Sequence, residues 1–150
     1  MSISGDWYNE IGSHMRVTAD PSGCIRGTYA SATGHAAGTY PLVGRCEAAA
    51  DPDHGTPLGW TVVRRNGRTD AESVTSWSGQ YYYDDGQERI CATWLLMASA
   101  TAAKTWEATA VGQDVFTREP LAPERTGQRL RHTGTASHPS PTGVGEATPV

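Results

Sequence analysis

The sequence contains one phenylalanine, three cysteines and no apolar run long enough to cross a membrane as a helix. Its longest nearly apolar stretches, such as the one that begins at Trp94, have the length of a strand rather than the ~20 residues of a membrane-spanning helix. The formal net charge of −4 lacks the basic excess that a nucleic-acid-binding face needs. The cysteines and histidines follow no metal-ligand spacing. We therefore expect neither a membrane nor a nucleic-acid partner, and no metal site.

The three cysteines, Cys24, Cys46 and Cys91, leave two interpretations open. Either all of them are small buried or half-buried side chains, or one intrachain disulfide forms. For a disulfide, Cys24 and Cys46 on neighbouring predicted strands are the best pair. The first residues show no basic start followed by an apolar segment, so the sequence predicts no secretory signal peptide.

Aromatic residues are absent after Phe116, and the segment that follows is rich in Pro, Thr, Ser and Gly. Such a segment cannot bury enough apolar surface to order itself. We therefore predict one folded domain over residues 1–117 and a disordered C-terminal tail over residues 118–150.

Short β-favouring segments alternate with turn signals throughout the predicted domain, and no amphipathic helix of ordinary length appears. The Asn66-Gly67 pair is a strong hairpin signal. The predicted strands cover residues 7–11, 15–19, 24–30, 39–46, 60–65, 73–83, 89–99 and 104–117. Eight strands with short connections predict an all-β fold, an eight-stranded antiparallel up-and-down β-barrel. Closure removes the unpaired edges and leaves an interior with room for one small ligand.

Period-2 alternation assigns the tryptophans to common faces of these strands. Thr75 shares a face with Trp77, and Trp60 shares one with Arg64. If these faces point inward, the interior mixes indoles with hydroxyl groups, whereas a purely structural core favours Val, Ile and Leu. This mixture favours a ligand cavity, although tryptophan can also be ordinary core.

Six segments, in order and in spacing, resemble the avidin/streptavidin family over about residues 5–117. The segments are Gly5–Ser13, Gly27–Gly34, Leu58–Val62, Thr75–Tyr81, Arg89–Leu96 and Trp106–Thr117. The resemblance implies a non-catalytic protein that binds biotin in the mouth of the barrel and needs no cofactor. It also implies a homo-oligomer, a tetramer with a dimer as the alternative, and a secreted location.

Carried over position by position, the resemblance implies a biotin site. Asn9, Ser13 and Tyr29 would donate hydrogen bonds to the ureido oxygen, and Ser31 and Asp114 would accept from the ureido N–H groups. Thr75 would contact the thioether sulfur, and Ser73 with the loop backbone near His35 would hold the carboxylate. Trp77 and Trp94 would line the apolar wall, and Trp106 would reach into the pocket of a neighbouring subunit. Thr33 and His35 replace an apolar residue and an amide that are common in streptavidin-like chains.

Arg64 departs from the family pattern, which has a pocket tryptophan at this position. Three interpretations are open: Arg64 extends from the mouth into water, pairs with the carboxylate of the ligand, or pairs with a protein acid. A buried guanidinium without a partner is not expected, because burying an unpaired charge is costly. Loss of the indole predicts packing that is weaker by about 1–3 kcal/mol, so we expect tight binding that falls short of the family's extreme.

Two alternatives to biotin binding remain. Arg64 can retune the same fold for another ureido or carboxylate ligand, or the tail can fold back into a pocket. The sequence contains no nucleophile elbow, no H-E-x-x-H motif and no paired catalytic carboxylates, so we do not expect an enzyme.

Overall fold

Eight strands form a closed antiparallel barrel in which each strand pairs with the next one along the chain. The computed structural model describes residues 2–32, 38–49, 51–65 and 72–121. The strands are β1 (Gly5–Tyr8), β2 (His14–Ala19), β3 (Cys24–Ala30), β4 (Thr39–Cys46), β5 (Thr56–Arg64), β6 (Ser73–Asp84), β7 (Gln87–Ala98) and β8 (Thr109–Thr117). This architecture confirms the predicted all-β, eight-stranded up-and-down barrel.

Strands β6 and β7 form the longest hairpin, with 12 residues in each strand. Their two-residue turn has positive φ at both positions, 47° at Asp85 and 75° at Gly86. Positive φ at both turn residues matches the right-handed twist of the paired strands. The register places Trp77 opposite Trp94, so the hairpin carries two indoles side by side into the interior.

The barrel closes where β1 meets β8, through the pairing of Tyr8 with Thr117. Arg118 reinforces this seam. Its guanidinium lies 3.8 Å from the centroid of the Trp7 ring, its Nε donates to Glu88 Oε2 at 2.8 Å, and its Nη1 donates to the Ser4 carbonyl at 3.1 Å. The Arg118 side chain therefore links the first and last strands of the barrel.

Inward-facing side chains alternate with outward-facing ones along each strand, as the pleat requires. On β5 the buried positions include Trp60, Val62 and Arg64, and on β6 they include Thr75 and Trp77. The predicted face assignments for these strands are confirmed, and they place the indoles and hydroxyl groups inside the barrel.

Three predicted strand boundaries were wrong by three or more residues. Residues 104–108 belong to a 3₁₀ helix, Ala102–Ala108, rather than to the last strand. The first strand ends at Tyr8 because residues 9–13 form a turn, in which the Gly12 N–H donates to the Asn9 carbonyl at 3.0 Å. The fifth strand starts earlier than predicted, at Thr56.

The alternative of a Cys24–Cys46 disulfide is also wrong, since all three cysteines are free thiols of intermediate exposure. The register explains this result. Cys24 pairs with Arg45 across β3 and β4, so Cys46 points to the opposite face of the sheet. Arg45 Nη1 donates to Cys24 Sγ at 3.1 Å instead.

Several expectations fall outside the described residues. They include the Asn66-Gly67 turn and most of the predicted tail, and the domain boundary at residue 117 stays a prediction. Within the described ranges, no helix has the length and apolarity needed to cross a membrane.

Candidate ligand-binding site

Asn9 is fully buried and is oriented by the turn that follows β1. Its Oδ1 accepts hydrogen bonds from the backbone N–H groups of Ile11 at 3.2 Å and Ser13 at 2.8 Å. Because these two donors occupy Oδ1, the amide Nδ2 is left as a donor, and it has no partner among the described residues. The turn thus presents one N–H group to the barrel interior.

Ser13 and Tyr29 form a second polar group beside this turn. Both are fully buried, and their hydroxyl groups are hydrogen-bonded to each other. Ser13 Oγ also accepts from the Ala32 N–H at 3.1 Å. Burial raises the pKa of Tyr29, and the charge of Asp114 adds to the effect. Tyr29 therefore stays protonated and able to donate. Ser31 lies half-buried just beyond the end of β3.

Asp114 is a carboxylate with 1% of its surface exposed, and it sits inside the barrel on β8. Its Oδ2 accepts a hydrogen bond from Trp77 Nε1 at 2.8 Å, while Oδ1 has no partner among the described residues. Burial raises the pKa of Asp114 to about 8, the charge of Glu10 raises it further, and the hydrogen bond from Trp77 opposes the shift. A buried acid with one unused oxygen is suited to accept an N–H group.

Three tryptophans build the apolar wall. Trp60 stacks on Trp77 with ring centroids 5.5 Å apart and an interplanar angle of 11°. Trp94 lies on the neighbouring strand, opposite Gly112. A Cβ atom at Gly112 would lie 2.2 Å from Trp94 Cζ2, so only glycine leaves space for this indole. Close packing of this kind fixes the positions of the rings.

Arg64 lies inside the barrel with no exposed surface, so the prediction that it extends into water was wrong. Its inward direction follows from the alternation on β5, and its Nη1 donates to Thr75 Oγ1 at 2.7 Å. The guanidinium carbon lies 5.5 Å from the centroid of the Tyr29 ring. No acid among the described residues forms an ion pair with Arg64, since the ion pairs there involve other cations. The third interpretation, in which Arg64 pairs with the carboxylate of the ligand, stays a prediction.

Polar atoms without hydrogen-bond partners are concentrated in this interior. Among the described residues they include Asn9 Nδ2, Trp60 Nε1, Arg64 Nε and Nη2, Ser73 Oγ, Trp94 Nε1 and Asp114 Oδ1. More than about 90% of buried polar groups in folded proteins have a partner. Such a group of unsatisfied donors and acceptors on several strands indicates a site that a polar ligand completes.

The structure gathers most of the predicted site residues in the interior, with two kinds of exception. Trp106 lies on the 3₁₀ helix and is 89% exposed, so it contributes nothing to the pocket of its own chain. Thr33 and His35 lie outside the described residues. Sequence reasoning missed Trp60 and Glu10 as site residues. The shared face of Trp60 and Arg64 was a usable signal for Trp60, while nothing in the sequence distinguished Glu10.

No group of three or more His, Cys, Asp or Glu side chains within residues 2–32, 38–49, 51–65 and 72–121 could hold a metal ion.

A family model for avidins matches residues 1–119 of the chain. The chain belongs to the avidin family. Avidins are non-catalytic binding proteins, so the prediction that this protein is not an enzyme is confirmed. Membership also supports a binding function for the barrel, directed to a biotin-like ligand.

Individual relatives agree with this assignment. Avidin from Gallus gallus is 32% identical over 126 residues, which cover 78% of this chain and 78% of avidin. Avidin-related protein 4/5 from the same organism is 34% identical over 124 residues, with 78% and 77% covered. Fibropellin-1 from Strongylocentrotus purpuratus is 35% identical over 130 residues, but the chain spans only 11% of its length. The barrel is thus also similar to one part of a much longer protein.

Proposed function

We propose that this avidin-family barrel binds biotin noncovalently in its interior. The observation that carries the proposal is the division of the unsatisfied polar atoms into two groups. Asn9 Nδ2 and Asp114 Oδ1 belong to neighbouring side chains, while Arg64 and Ser73 face each other on β5 and β6. The indole wall lies between the groups. Biotin has the same division, with a urea at one end, a thioether ring in the middle and a carboxylate at the other end.

The first group matches the chemistry of a urea, which has one strong acceptor and two N–H donors. Asn9, Ser13 and Tyr29 carry donors that can converge on the ureido oxygen, and Asp114 carries the acceptor for a ureido N–H. In a dry interior such hydrogen bonds strengthen one another. The turn at Asn9 and the Trp77–Asp114 hydrogen bond fix the groups before the ligand arrives, which reduces the entropy lost on binding.

A second candidate is another ligand that combines a ureido group with a carboxylate. The buried guanidinium of Arg64 favours it, because an arginine replaces an indole that would otherwise contact the thioether ring and the alkyl chain of biotin. A ligand that places less apolar surface and more negative charge next to Arg64 would bind better than biotin at this position.

We also propose that the protein is a homo-oligomer in which Trp106 contacts the pocket of a neighbouring subunit. Large apolar side chains stand exposed on the outer face of successive strands: Val43, Val63, Val74, Leu95 and Val111. Leu95 and Val111 are directly paired across β7 and β8. A contiguous exposed apolar face of this kind is typical of a protein–protein contact.

Calorimetric titration with biotin, together with tryptophan fluorescence, tests the function. We expect saturation at one biotin per chain with quenching of the interior indoles. Tyr29→Phe removes only a hydroxyl group and should weaken binding roughly tenfold, while the matched change at the exposed Tyr83, Tyr83→Phe, should leave binding unchanged. If neither heat nor quenching appears at micromolar biotin, biotin is not the ligand, and titration with other ureido acids decides the second candidate.

A further inference from the structure

Arg64 is a cation buried in the barrel, and no carboxylate among the described residues forms an ion pair with it. Its side chain has no exposed surface. Two arginines form ion pairs in the described ranges. Arg16 pairs with Asp6, and Arg118 pairs with Glu88. Arginine remains protonated in proteins, so burial does not remove the charge. Among the described residues, this positive charge therefore has no carboxylate in direct contact, and Asp114 acts on it only through its charge at a distance.

Two contacts hold the guanidinium in place and leave one of its edges unused. Nη1 donates to Thr75 Oγ1 at 2.7 Å, and the Tyr29 ring lies 5.5 Å from the guanidinium carbon. Nε and Nη2 are buried and have no partner among the described residues. These two nitrogens form one edge of the planar group, and their parallel N–H donors match the two oxygens of a carboxylate.

Ser73 adds a further polar group beside this edge. It lies directly opposite Arg64 in the register of β5 and β6, it is buried, and its Oγ has no partner among the described residues. A hydroxyl group next to a bidentate arginine can donate a further hydrogen bond to the same anion.

Asp114 does not fill the role of this anion. It pairs with Ala92 on β7, while Thr75, which holds the guanidinium, pairs with Leu96 on the same strand. This separation of four residue steps corresponds to about 13 Å along an extended strand. Asp114 is bonded to Trp77 instead. The acid and the arginine therefore lie at different depths along the interior, and one ligand can contact both.

We propose that Arg64 makes a free carboxylate on the ligand a requirement for tight binding, so that the barrel selects the free acid of biotin over its neutral amides and esters. The Nε and Nη2 edge would bind both carboxylate oxygens, with Ser73 donating to one of them. A neutral amide at the same place leaves the buried charge without an anion, which costs more than a single lost hydrogen bond. This inference rests on the proposed function.

The unmodified protein provides the first test, in a calorimetric comparison of biotin with biotin primary amide. The amide is almost the same size as the acid, so shape alone cannot separate them. We expect the acid to bind at least about 30-fold more tightly. Equal affinity for the two compounds would overturn the inference and leave biotin binding intact. If neither compound binds, biotin is the wrong ligand and the inference fails with it.

Substitutions then assign the selectivity to one side chain. Arg64→Gln should bring the acid and the amide to within about threefold of each other, and Arg64→Lys should retain an intermediate preference because it keeps the charge without the bidentate edge. Arg26→Gln removes the same charge from an exposed position on β3 and should leave the preference of the unmodified protein unchanged. If Arg64→Gln folds, as judged by its near-ultraviolet circular dichroism, and keeps the full preference, the selectivity does not come from Arg64.

Discussion

Trp77 Nε1 donates to Asp114 Oδ2 at 2.8 Å, and the other oxygen of this carboxylate has no partner in the part of the chain that the structure describes. The hydrogen bond orients the carboxyl group and leaves Oδ1 as the acceptor for a ligand. Because Asp114 is also buried, its pKa is shifted, and its protonation state makes ligand binding in the pocket depend on pH.

We predict that biotin binds more tightly as the pH rises from 6 to 8. Burial raises the pKa of Asp114 to about 8, so the free protein holds this group largely protonated below that pH, and only the ionised form accepts N–H groups with both oxygens. The dissociation constant should fall by up to tenfold per pH unit and level off above pH 8. Calorimetry across this range measures the slope. An Asp114→Asn variant should bind weakly and without this slope, and a flat profile for the unmodified protein would contradict the prediction.

The same shift predicts a pH dependence of the free protein's stability. The pKa of an unfolded aspartate is about 3.9, so between about pH 4 and pH 8 the unfolded chain has lost the proton that folded Asp114 keeps. The contribution of Asp114 to the free energy of unfolding therefore falls as the pH rises through this window. Urea denaturation at pH 5 and pH 8 should show a smaller loss for Asp114→Asn than for the unmodified protein. Equal losses would argue against a raised pKa.

Gly112→Ala should lower both stability and biotin affinity. The added Cβ would lie 2.2 Å from Trp94 Cζ2, so the indole or the strand must move. Overpacking of this kind typically costs about 1–3 kcal/mol of the free energy of unfolding. Denaturant unfolding and biotin titration measure the two effects. Gly86→Ala serves as the control, since its added Cβ meets nothing within 4 Å. It should lose about 1 kcal/mol from its positive φ and keep its affinity.

Arg118→Ala should destabilise the barrel by about 1–3 kcal/mol. The change removes the contact with the Trp7 ring, the ion pair with Glu88 and the hydrogen bond to Ser4. Thermal unfolding measures the loss, and Arg26→Ala, at an exposed position, is the matched control. A chain ended after Thr117 should likewise unfold at a lower temperature than one ended after Leu121. Equal unfolding temperatures for the two truncations would show that the seam does not depend on Arg118.

Trp106→Ala should leave the fold of the single barrel unchanged while it speeds release of biotin. The side chain is 89% exposed and packs on nothing in its own pocket. If it covers the pocket of a neighbouring subunit, its loss removes a large apolar contact from the bound ligand. Dissociation of a fluorescent biotin measures the rate. Leu95→Arg should shift the oligomer toward single barrels in analytical ultracentrifugation, and an unchanged mass would refute the proposed interface.

The long strands of the barrel were predictable because their signals are strong. Strands β6 and β7 combine period-2 alternation with a turn signal, and their faces were predicted correctly. The 3₁₀ helix was not predicted. Residues 102–107 are exposed, and local hydrogen bonds, such as the one from the Lys104 N–H to the Thr101 carbonyl, form a helix for which the sequence carries no strong signal. Pro57 and Gly59 hid the start of β5 because both residue types are rare in strands.

The site was predictable as a set of residue types but not as a geometry. Alternation placed Arg64 on the inner face, yet it could not give its depth, which depends on where the neighbouring strands end. The roles of the individual side chains toward biotin and the extracellular location stay predictions.

Arg118 also donates to the Ser2 carbonyl at 2.5 Å, so the two ends of the barrel segment meet at the β1–β8 seam. A barrel whose ends are adjacent does not depend on where the chain starts. A circular permutant can therefore join residue 121 to Ser2 through a short linker and begin at Gly86, in the turn between β6 and β7. Such a protein would carry any fused partner at the turn of the longest hairpin, close to Glu88 and the seam, and the order of the residues that line the pocket would change while their positions in space do not.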